Sequence, residues 1–150
     1  MPETVEELRA RVDAALAGSH LHAARLDDDA WAFMRGESKG LAFLANHDES
    51  AEDGVFTVRV PVMRAPKDGA GEFARRLLEI NLSLAGLVAF ALDEEGVAHV
   101  VGARFVAGLD PDHFAAVAAV AAGAADRFRD ELLDRFGREN ALEDHSGAGA

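Results

Sequence analysis

"EFARRLLEINLSLAGLVAFAL", residues 72–92, changes its period midway. Apolar residues first recur every three or four positions, at Phe73, Leu77, Ile80 and Leu84. They then alternate, at Val88, Phe90 and Leu92. The first pattern buries one side of a helix and the second buries one face of a strand. A helix over about 70–85 therefore runs into a strand. "DEEG" (93–96) supplies a turn, and "VAHVVGARFV" (97–106) returns beside the first strand as a hairpin. A helix leading into a hairpin calls for an antiparallel sheet with the helix packed on it.

At 100° per residue the helix carries two apolar stripes. Phe73, Leu77, Ile80 and Leu84 form one, and Ala74, Leu78, Leu82 and Ala85 form another beside it. Glu72, Arg75, Arg76 and Glu79 take the remaining side. An apolar arc of about 200° exceeds what one sheet face covers. The second stripe calls for a partner, and the simplest is the same helix of a second copy. Asn81 lies between the stripes. Its amide either satisfies local backbone or the following loop, or sets register at a subunit contact.

The rest of the chain fits around this unit. Thr4-Val5-Glu6-Glu7 is a capping box, and Val5, Leu8, Val12 and Leu16 continue a first helix to about Gly18. Residues 30–46 read as two strands around a glycine-containing turn. Trp31 and Phe33 share one face of the first, and Leu41 and Phe43 share one face of the second. An acidic loop (47–54) leads to a strand with Phe56, Val58, Val60 and Val62 on one face. Pro61 removes a ladder donor there, which implies an edge or a bulge. Asp110-Pro111 opens a third helix whose core stripe is Phe114, Val117, Ala121, Ala125, Phe128 and Leu132. Gly137 stops it.

The expected order is αβββαββα: an α+β fold with one twisted antiparallel sheet of about five strands, covered by the first and third helices. One domain spans 1–137, and 138–150 reads as a flexible tail.

Asp and Glu number 27 against 15 Lys and Arg, a net charge of -12. Such a chain repels nucleic acid and anionic membranes, and suits a basic or aggregation-prone client. The absence of cysteine removes disulfides, thiol nucleophiles and Cys-type zinc sites. The acidic N-terminus lacks the apolar region of a signal peptide, so the expected setting is the cytoplasm.

"LLEIN" (77–81), "LVAFALDEEGVAHVVGARF" (87–105) and "LDPDHFAAVAAVAAGAADRFRDELL" (109–133), in this order, resemble the type III secretion chaperone-like fold. The resemblance takes in both its Tir-chaperone (CesT-type) branch and its YbjN-domain branch, and covers about 3–137. It implies a small, acidic, non-enzymatic homodimer. The secretion branch would hold an extended segment of a client protein along surface grooves. The YbjN branch implies a regulatory domain of undefined biochemical role.

Catalytic chemistry has few footholds. Gly36-Glu37-Ser38-Lys39-Gly40 matches G-x-S-x-G, but it joins strand to strand, where a nucleophile elbow joins strand to helix. His20 and His22, with His47 or Asp48, are the candidate ligands for the alternative reading, a metal-dependent or small-ligand enzyme. His99 in a strand and His113 in a helix first turn read as surface or cap residues. Asp27-Asp28-Asp29 and the 47–54 loop lack calcium-loop spacing and read as solvated. No catalytic residue, metal or cofactor is expected. The candidate functional surface is the second stripe with its polar neighbour: Ala74, Leu78, Asn81, Leu82 and Ala85, as a dimer interface.

Overall fold

The computed structural model describes residues 2–142. Helix α1 (Val5–Ala17) starts on the expected capping box. The Glu7 N–H donates to Thr4 Oγ1 at 3.1 Å, and the Thr4 N–H donates to Glu7 Oε2 at 2.8 Å. Strands β1 (Ala24–Arg25), β2 (Ala30–Arg35), β3 (Ser38–Ala45) and β4 (Val55–Arg64) follow, then α2 (Ala70–Leu84), β5 (Ala89–Leu92), β6 (Val97–Phe105) and α3 (Pro111–Phe136). The strands form one antiparallel sheet in the order β1-β2-β3-β4-β6-β5. This is the expected α+β architecture, with β1 as a sixth strand too short to show a period.

The core lies between the helices and one face of the sheet. Leu8, Val12 and Leu16 of α1 enter it beside Phe56, Val58, Val60 and Val62 of β4. The Trp31 indole on β2 donates to Asp13 at 3.0 Å, which ties α1 to the sheet. Ala118, Ala121, Ala122 and Ala125 let α3 lie close over the strands. Phe114 and Phe128 add edge-to-face contacts with Phe56 and Phe90. Asp110 occupies the N-cap position of α3, but its carboxylate accepts no capping bond. Pro61 sits at a bulge, and the register shift between Pro61 and Met63 leaves both Val62 and Met63 buried. The strand is internal, with β3 and β6 on its two sides.

Three local expectations change. Leu41 and Phe43 do share a face of β3, but it is the outer one; Ser38, Gly40, Ala42 and Leu44 point inward. Space explains this: a methyl on Gly40 would lie 2.5 Å from Phe33 Cζ and 2.9 Å from Val60 Cγ2. Leu92 does not join Val88 and Phe90 in the core, because it ends the edge strand and is 45% exposed. The chain beyond Gly137 does not leave the domain at once. Arg138–Asn140 form a 3-10 turn, and Ala141 bridges to Met63 of β4. Residues 143–150 of the expected tail lie outside the described residues.

Candidate functional site

Helix α2 sits at the β5 end of the sheet. Phe73, Leu77 and Ile80 are buried, and the Phe73 ring meets Phe136 of α3 edge to face at 5.1 Å. Arg76 donates to Glu131 of α3 at 2.6 and 3.0 Å. This bond holds the Glu131 carboxyl below its ordinary pKa. The helix is thus clamped to α3 on one side. On the other, Leu78 is 69% exposed and Leu82 86%. Ala74 is half-buried, and Ala85, the left-handed C-cap at φ 54°, is exposed. Of the sequence-derived surface, Leu78, Leu82 and Ala85 are therefore exposed, whereas Ala74 and Asn81 are half-buried against the protomer.

Asn81 has a defined task within the protomer. Its Nδ2 donates to the Phe90 carbonyl at 3.2 Å, and its Oδ1 accepts from the Phe90 N–H at 2.7 Å. Phe90 belongs to β5, an edge strand. The amide therefore makes the two bonds that another strand would make there. The local-backbone reading of Asn81 describes this contact.

The tempting catalytic motif is structural. Ser38 begins β3 and is fully buried. Its hydroxyl donates to Asp126 Oδ1 at 2.6 Å and accepts from Arg129 Nη2 at 2.6 Å. Arg129 also donates to Asp126 at 2.9 Å. Among the described residues no imidazole joins this group, which straps the β2–β3 hairpin to α3.

His20 and His22 are exposed, while His47 is buried, with Nε2 2.8 Å from Asp29 Oδ1. Among the described residues no three His, Cys, Asp or Glu side chains gather as a metal site. Asp29 differs from the solvated residue expected. It accepts two bonds from Arg9, at 2.9 and 3.0 Å, and this guanidinium is the main cause that lowers its pKa. His99 is half-buried on β6, with Nε2 2.7 Å from Asp93 Oδ2. That contact, and then the Val97 N–H, lowers the Asp93 pKa. His113 is exposed in the first turn of α3, as expected.

One surface escapes a motif search. The helices cover one face of the sheet and leave the other open. In register across that open face stand Leu41, Arg59, Val101 and Ala89, on β3, β4, β6 and β5. A depression of about 490 Å³ beside Arg59 is lined by Met34, Leu41, Pro61 and His99, and Leu142 reaches into it. The signal for this face was present in the alternation: the positions opposite the core stripe of each strand are mostly apolar as well.

The family model described as "Putative bacterial sensory transduction regulator", YbjN, matches residues 8–134. No curated protein matches the chain in sequence. Among solved structures, a chain of the "Crystal Structure of the ExsC-ExsE Complex" superposes with a TM-score of 0.63 at 17% identity. The match covers 88% of this chain and 97% of that one. At that identity the likeness concerns the fold alone, and it agrees with the helix and strand order described above. With a family match over nearly the whole domain, the chain belongs to the YbjN family and has the type III secretion chaperone-like fold.

Proposed function

We propose that this chain is a non-enzymatic protein-binding module that works as a homodimer and holds an extended segment of another protein. The observation that carries the reading is the exposure of Leu78 and Leu82 on a helix whose other apolar stripe is buried. Full burial of a leucine contributes about 1.5–3 kcal/mol, so four across a two-fold contact supply roughly 6–12 kcal/mol before association entropy. Ala74 and Ala85 let two such helices approach, and Asn81 stands at the border of the contact. The matched fold in the ExsC-ExsE structure belongs to a protein in complex with another, which supports a role in binding proteins. The family description favours a regulatory use of that binding.

Light scattering during gel filtration tests the dimer. The expected mass is twice that of the 15.9 kDa chain. Leu78→Glu with Leu82→Glu should give a monomer with an unchanged circular dichroism spectrum, because neither side chain belongs to the protomer core. A wild-type monomer ends the proposal, and a dimeric double variant moves the interface off α2.

A further inference from the structure

Acidic residues are distributed unevenly in this protein. The chain carries 27 Asp and Glu, yet among the described residues no strand contains either. The strands do contain Arg25, Arg35, Lys39, Arg59, Arg64 and Arg104. Arg35, Arg64 and Arg104 donate to backbone carbonyls of Ala119, Ala141 and Leu87, and Arg25 to those of Asp27 and Asp28. Arg59 and Lys39 differ. Both are exposed, and among the described residues neither makes an ion pair or a side-chain hydrogen bond. Arg59 stands mid-sheet between Leu41 and Val101, and three depressions of the open face meet at it.

From this we propose that the open sheet face binds an acidic, apolar polypeptide segment in extended form, with a carboxylate on Arg59. The proposal rests on the protein-binding reading and names the chemistry of the partner. On the Lys39 side of this face the local charge reverses the expectation drawn from the net charge: a basic client suits the molecule as a whole, but not the depression that Lys39 and Arg59 line. Asp93, Glu94 and Glu95 line the depression on one side of Arg59, but the depression beside Met34, Leu41 and Pro61 holds Lys39 and no carboxylate among the described residues, and there the guanidinium can bind a carboxylate through paired, charge-assisted bonds. Leu41, Met34 and Phe105, the last 74% exposed, offer apolar contact on either side. From β2 to β5 the trough crosses four strand spacings, about 19 Å, which roughly six extended residues span. A second copy docked face to face would bring Arg59 against Arg59, so self-association does not suit this face.

Three fluorescein-labelled peptides of equal length, with leucine at alternate positions and Asp, Ser or Lys between, test the proposal by anisotropy on the full chain. The Asp peptide should bind about tenfold more tightly than the Lys peptide, with the Ser peptide between them. Arg59→Ala should weaken the Asp peptide by about three- to tenfold and leave the Ser peptide within about twofold. Arg59→Glu should invert the order. Because Arg59 is exposed, these variants should keep the wild-type circular dichroism spectrum. Equal binding of the Asp and Ser peptides, unmoved by Arg59→Ala, overturns the charge assignment but leaves the protein-binding reading standing. No binding by any peptide overturns both. A changed mass for Arg59→Glu by light scattering assigns the face to a second copy and overturns the proposal. So does selective binding of a peptide of residues 143–150, which assigns it to this chain's own C-terminus.

Discussion

Asn81 is a short polar side chain among leucines, and its two bonds to Phe90 explain its place there. A leucine at this position would keep the volume but leave the Phe90 N–H and carbonyl without a partner. An unsatisfied buried polar group costs about 1–3 kcal/mol, whereas one added apolar contact returns less. Asn81→Leu should therefore lower unfolding free energy by about 1–3 kcal/mol in urea titration. It should do so equally in the Leu78→Glu, Leu82→Glu background, because the bonds are internal to one protomer. A neutral or stabilising result would show that the amide acts at the subunit contact instead.

At the scale of elements, the β2–β3 hairpin is held from outside its own sequence. Ser38, Asp126 and Arg129 join it to α3 across almost ninety residues. Ser38→Ala removes a partner from a buried arginine and should destabilise the fold by about 1–3 kcal/mol in thermal or urea unfolding. A serine-directed fluorophosphonate should not label Ser38, since no solvent reaches it. Labelling would contradict the structural role. This strap also marks where sequence reading stops. Local signals sufficed for α1, with Thr4 and Glu7 in one capping box, and for β4, with four apolar residues in strict alternation. They failed for β3, where inward Ser38, Gly40 and Ala42 look like a solvent face. Phe33 and Val60 from the neighbouring strands, and Asp126 and Arg129 from α3, decide that orientation. The stripe of Leu78 and Leu82 was legible because it is periodic. The Asp29 cluster was not, because Arg9, Asp29 and His47 come from three separate segments.

For the whole molecule, ion pairs set the response to acid. Asp29 by Arg9, Glu131 by Arg76 and Asp93 by His99 are each held below the ordinary carboxylate pKa. A group whose pKa is lower in the folded state contributes fully above its unfolded value. That contribution is lost as pH falls through the folded value. Stability should accordingly fall below about pH 4, where these carboxylates take up protons. Asp29→Asn should lower the melting temperature at pH 7 and flatten the fall between about pH 4 and pH 2. An acid limb identical to wild type would remove Asp29 from the account.

The bond pair from Asn81 to Phe90 has one more consequence, for assembly. Fibrils built by strand addition need two receptive edges on every molecule, one to join and one to be joined. Here the β5 edge is stoppered at Phe90 by a side chain of the same molecule, and the opposite edge is β1, two residues long. Chains of molecules linked edge to edge are therefore terminated before they start. Among the described residues the sheet thus offers only short outer edges, one of them occupied at Phe90, from which such a chain could grow.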